Sequence, residues 1–185
     1  MKGIVFTEFS EMVEKMFGED MLDDIIDATQ PKSGGAYTTV STYDHAELVD
    51  MVVELNKRTD IPVPKLIYTF GEYLGVSFTE KFTSFFVAAG NTVEFLKQID
   101  NHIHIEVKKI YPDAELPGFS YKMGENPEDP FELHYSSKRG FADLAEGLIC
   151  STAKYYGEQF NIERNDWIEG DVHHCLFKIQ RIAEA

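Results

Sequence analysis

The sequence predicts an α+β fold: a helical front half, then a small antiparallel sheet carrying two helices. Two patterns predict it. Apolar residues recur at helical spacing from Val5 to Phe78 and again after Asn91, whereas beyond Pro112 short alternating segments are punctuated by Pro and Gly. A third observation sets the scale, because 185 residues without an internal repeat, a low-complexity stretch or a long linker read as one domain.

In chain order, Val5, Phe9, Met12, Val13, Met16 and Phe17 form one face of an amphipathic helix that ends at Gly18. Met21, Leu22, Ile25 and Ile26 repeat the pattern up to a break at Gln30 to Gly35, whose Pro and paired Gly are turn chemistry. Asp44 opens a helix carrying Leu48, Met51, Val52 and Leu55. After Pro62 and Pro64 another carries Leu66, Ile67, Phe70, Leu74 and Phe78. Asn91 with Glu94 three residues on has the form of a capping box, and it predicts one long helix from Asn91 to Tyr111 that Pro112 stops. A turn from Asn126 to Pro130 precedes Phe131, Leu133 and Tyr135, which alternate as a strand does. A last helix is predicted from about Gly140 to Tyr156. In the tail, Trp167 and Ile168 before Glu169-Gly170-Asp171, with Cys175, Phe177 and Ile179 after it, read as a hairpin.

Composition narrows the function. With 17 Lys and Arg against 32 Asp and Glu, the formal charge of −15 argues against nucleic acid or an anionic membrane surface as a partner. The 14 Phe, 9 Tyr and 1 Trp are enough to line a large apolar pocket. Two cysteines give no disulfide framework, the N-terminus lacks a signal-peptide core, and no apolar run reaches about 20 residues, so a cytoplasmic protein without membrane insertion is expected. No GxSxG, P-loop, HExxH or GxGxxG motif occurs. Cys150 and Cys175 read as packed thiols.

Among six histidines, His45 and His134 read as surface residues, and the adjacent His173 and His174 point to opposite faces of a strand. His102 and His104 sit on the long helix. Periodicity favours His102 as the more buried, and periodicity alone identifies no ligand. A single imidazole presented into an aromatic pocket is what a heme needs for one axial bond, but a structural histidine is the plainer reading of these residues. The segment Tyr135-Ser136-Ser137-Lys138-Arg139 carries more chemistry. Two hydroxyls and a guanidinium at alternate positions would share one side of an extended strand, ahead of a helix N-terminus, and form a carboxylate-binding constellation.

Tyr135-x-Ser137-x-Arg139 resembles the YxSxR signature of the heme-nitric oxide/oxygen-binding (H-NOX) family, which includes the sensor domain of soluble guanylate cyclase. The resemblance covers essentially the whole chain, through Met1 to Val5, Phe70-Gly71-Glu72-Tyr73, Ile103-His104, Glu106-Val107, Ile110-Tyr111-Pro112, Leu116-Pro117 and Ala145-Glu146-Gly147-Leu148. It implies one heme domain over 1–185, with a helical subdomain of about 1–62, a heme-ligating subdomain of about 63–185, and heme b (iron protoporphyrin IX) between them. It selects His104 as the axial iron ligand. It assigns Tyr135, Ser137 and Arg139 to the heme propionates, Pro117 to heme distortion, and Val5, Phe9, Leu74, Phe78, Leu144 and Leu148 to the heme and distal pocket.

One departure bears on the ligand. Relatives that bind dioxygen stably carry a distal Tyr five residues after the signature Arg, and Leu144 stands there in this sequence. Bound dioxygen benefits from a hydrogen-bond donor that nitric oxide does not need. The resemblance therefore implies a sensor, not an enzyme, that binds nitric oxide and CO but not dioxygen stably. It further implies release of His104 and signalling to a separate histidine kinase or cyclic-dinucleotide enzyme, as in similar bacterial proteins, since no output domain follows in this sequence. The alternatives are an oxygen or thiol-redox sensor, a heme peroxidase, which would need distal acid/base residues, and a module binding an apolar carboxylate without heme.

Overall fold

The computed structural model describes residues 1–126 and 129–182. Pro127 and Glu128, within the turn expected at 126–130, lie outside the described residues. Helices α1 (Gly3–Phe17), α2 (Glu19–Thr29), α3 (His45–Thr59) and α4 (Val63–Lys81) follow the four apolar periodicities of the front half. Their ends follow local chemistry. Gly18 at φ 97° closes α1, Gln30 in the left-handed region closes α2, and Asp44 caps α3 by accepting the Ala46 N–H at 3.0 Å. The α1–α4 core is built on Phe6, Phe9, Met12, Ile25, Leu48, Met51, Leu55 and Phe70.

The segment expected as one helix from Asn91 to Tyr111 is broken, and this is the main correction to the sequence reading. A short α5 (Thr83–Ala89) precedes it. Asn91 Oδ1 does cap the Glu94 N–H at 2.9 Å, opening α6 (Thr92–Lys97), but a π-helical turn (Ile99–Ile103) then separates α6 from α7 (His104–Ile110). In that turn Ile103 N–H reaches back five residues to the Gln98 carbonyl, so one extra residue enters the turn and the faces rotate. His102 is accordingly exposed and His104 half-buried, the reverse of what uniform helical spacing predicts.

Four antiparallel strands follow, β1 (Gly118–Lys122), β2 (Phe131–Ser137), β3 (Phe160–Glu169) and β4 (Val172–Arg181), in the order β1-β2-β4-β3. β1 was not anticipated. Its exposed end lacks the apolar alternation that marks β2. Leu133 pairs with Phe177 and Tyr135 with Cys175, so these four side chains share the inner face of the sheet. Helix α8 (Ala142–Tyr155) joins that core through Ala142, Ala145 and Ile149 and packs along α4 with its other side. Glycines permit this packing. A Cβ on Gly71 would stand 2.3 Å from the Leu144 carbonyl oxygen, and one on Gly147 2.2 Å from that of Tyr68. No helix among the described residues is long and apolar enough to cross a membrane.

Candidate heme site

A largely apolar cavity of about 290 Å³ lies among α1, α4, α8, the π turn, α7 and β1. Ten of the residues proposed for a site line it: His104, Pro117, Tyr135, Ser137, Arg139, Val5, Leu74, Phe78, Leu144 and Leu148. Phe9 does not. It is fully buried one layer behind, edge-on to Phe70 at 5.3 Å, because it stands four residues beyond Val5 toward the α1–α4 core.

His104 enters the cavity from the first turn of α7. Its Nδ1 lies 3.2 Å from Asp100 Oδ1, one turn back through the π segment, and its ring centroid is 5.8 Å from that of Phe119 on β1. Burial pushes the imidazole below its usual 6.5, and Asp100 opposes this in part. A neutral ring with its Nδ1 proton held by Asp100 leaves Nε2 with a lone pair, the form a metal ligand takes.

The polar end of the cavity comes from β2 and the turn after it. Tyr135 is buried, and its hydroxyl oxygen accepts the Phe141 N–H at 3.0 Å, which ties the strand to the start of α8. Burial raises its pKa, so the hydroxyl stays protonated. Ser137 Oγ accepts the Arg139 N–H at 3.1 Å. Arg139 is not on an extended strand as the alternation implied. β2 ends at Ser137, and Arg139 sits in a turn completed by Gly140 at φ 66°, yet it reaches the same cavity. Its Nη1 donates to the Glu115 carbonyl at 2.8 Å and its Nη2 to Glu115 Oε2 at 2.5 Å.

Leu144, Leu148 and Thr152 form one stripe of α8 on the cavity wall. Thr152 is the one hydroxyl residue that α4 and α8 contribute to the lining, and its proton goes to the Leu148 carbonyl at 2.8 Å. Sequence reasoning missed Glu115, Thr152 and Phe119 as lining residues. Asp100 was legible only as the residue four positions before His104. The chemistry of the set is specific: one imidazole, a guanidinium with two hydroxyls at one end near Lys2 and Glu115, and mostly apolar walls elsewhere. It fits a flat apolar macrocycle whose metal takes one nitrogen and whose acidic arms take the polar end.

The family model described as haem-NO-binding matches residues 2–164. The chain belongs to the haem-NO-binding family. The Fe(II) unliganded H-NOX protein of K. algicida is 32% identical over 100% of this chain and 98% of its own, with a TM-score of 0.90. An H-NOX protein of S. oneidensis in the Fe(II)NO state shares the fold, with a TM-score of 0.86 at 24% identity over 97% of this chain and 99% of its own. The soluble guanylate cyclase gcy-34 of Caenorhabditis elegans is 22% identical over the full length of this chain, which spans 29% of that relative. H-NOX domains are heme-based gas-sensing modules, and heme is their cofactor.

Proposed function

We propose that this H-NOX chain senses nitric oxide at ferrous heme, binds CO, and forms no stable dioxygen complex. The observation that carries this reading is the wall formed by α4 and α8, where Leu74, Phe78, Leu144 and Leu148 are apolar and the Thr152 proton is already committed to a backbone carbonyl. Bound heme supplies an iron that takes one protein nitrogen and one diatomic gas. His104 would offer that nitrogen, oriented by Asp100, while Arg139, Ser137 and Tyr135 would hold the propionates and Pro117 would bear on the ring. A polarised dioxygen finds no free donor on the α4 and α8 walls, whereas nitric oxide needs none.

His104 stands at the junction of the π turn and α7, so any change in what its imidazole would hold passes directly to that helix. This is a two-state element that a gas can bias by favouring one arrangement. The output passes to a separate effector in the cytoplasm, and the resemblance to bacterial relatives points to a histidine kinase or a cyclic-dinucleotide enzyme. The thiols do not favour a redox sensor. Cys175 is fully buried with its pKa pushed up to about 12 by burial, and burial also raises that of Cys150, which disfavours the reactive thiolate. Titration of the reduced, heme-loaded protein with nitric oxide, CO and dioxygen tests the reading. Binding of the first two without the third is expected.

A further inference from the structure

Glu115 lies on the short segment between α7 and β1, and its carboxylate and carbonyl both engage Arg139, at 2.5 Å and 2.8 Å. The arginine side chain is 16% exposed and the glutamate 83%, so the ion pair stands at the boundary between the cavity and solvent. Both residues line the cavity. A guanidinium has five N–H donors, and Glu115 takes only part of the set, so a carboxylate on the cavity's occupant can share Arg139 with it. Two carboxylates then draw on one positive charge and repel each other.

We propose that Glu115 is a positioning residue that loosens heme retention, by partly neutralising the guanidinium that anchors the propionates. The inference rests on the reading that Arg139 binds those propionates. Glu115→Gln keeps the shape and the backbone carbonyl contact while removing the charge, at a side chain that is 83% exposed.

The experiment is heme transfer from the holoprotein to excess apomyoglobin, followed by absorbance, for wild type, E115Q, R139Q and the double variant. E115Q is expected to lose heme about two- to fivefold more slowly, the scale of a solvent-facing charge interaction. R139Q is expected to lose it faster, and the double variant to match R139Q because Glu115 acts only through Arg139. A structural role for Glu115 cannot produce slower loss. Equal or faster loss in E115Q, with R139Q fast, overturns this proposal alone. Unchanged loss in R139Q overturns the propionate reading and takes the proposal with it.

Discussion

Asp100 Oδ1 lies 3.2 Å from His104 Nδ1 across the junction between the π turn and α7. The two are four residues apart, so the local backbone delivers both the imidazole and the group that fixes its tautomer. The π turn inserts one residue just before His104 and so offsets the faces of α7 from those of α6.

His104→Gly removes the imidazole while leaving a gap of its size. The proposed ligation predicts loss of the wild-type ferrous heme spectrum, with recovery when free imidazole is added. An unchanged spectrum in H104G would sink the assignment of His104.

Leu144→Tyr places a phenol on the α8 stripe that lines the cavity. The variant is expected to form a dioxygen complex that persists in air, because one neutral hydrogen bond contributes on the order of 0.5–1.5 kcal/mol and more to a polarised acceptor. Autoxidation followed by absorbance reads it. Failure of L144Y to hold dioxygen longer than wild type would remove donor absence as the basis of selectivity.

Tyr135→Phe deletes the oxygen that accepts the Phe141 N–H in a buried setting. An orphaned buried donor costs about 1–3 kcal/mol. The urea midpoint of the variant should fall accordingly. No shift would mean that the strand-to-helix tie carries nothing.

On the outer face of the sheet, His134 Nε2 lies 3.0 Å from His174 Nδ1, with Trp167 stacked against both rings and Ser120 Oγ 3.5 Å from His134 Nδ1. Burial and then His174 hold the His134 pKa below 6.5. The unfolded chain therefore takes up the proton first. The His134 contribution to stability is whole above pH 6.5 and is lost as pH falls through the lowered folded value. Denaturation curves from pH 7.5 to 5 should decline less steeply for His134→Gln. Parallel curves would refute the coupling.

The legible parts of the molecule are those where local chemistry and tertiary demand agree. Asp44 and Asn91 open helices with their side chains, Gly18 closes one with its backbone freedom, and Phe131, Leu133 and Tyr135 mark β2 by alternation. Tyr135, Ser137 and Arg139 were legible as a carboxylate constellation, although the turn at Gly140, not the strand, brings Arg139 round. The π turn was not legible, because one inserted residue leaves the composition of a helix intact while rotating every later side chain. β1 was missed because residues such as Ser120 and Lys122 belong to its exposed end. Glu115 was missed because its role depends on the 24-residue separation from Arg139, which only the fold closes.

The absorption spectrum of the anaerobically reduced protein, taken before and after nitric oxide and, in a second sample, after air, reads gas selectivity at the heme in one experiment. A five-coordinate ferrous heme that binds nitric oxide and forms no stable dioxygen complex is expected. A stable dioxygen complex would contradict the selectivity drawn from Leu144 and Thr152, and failure to take up heme would contradict the cofactor reading of the cavity itself.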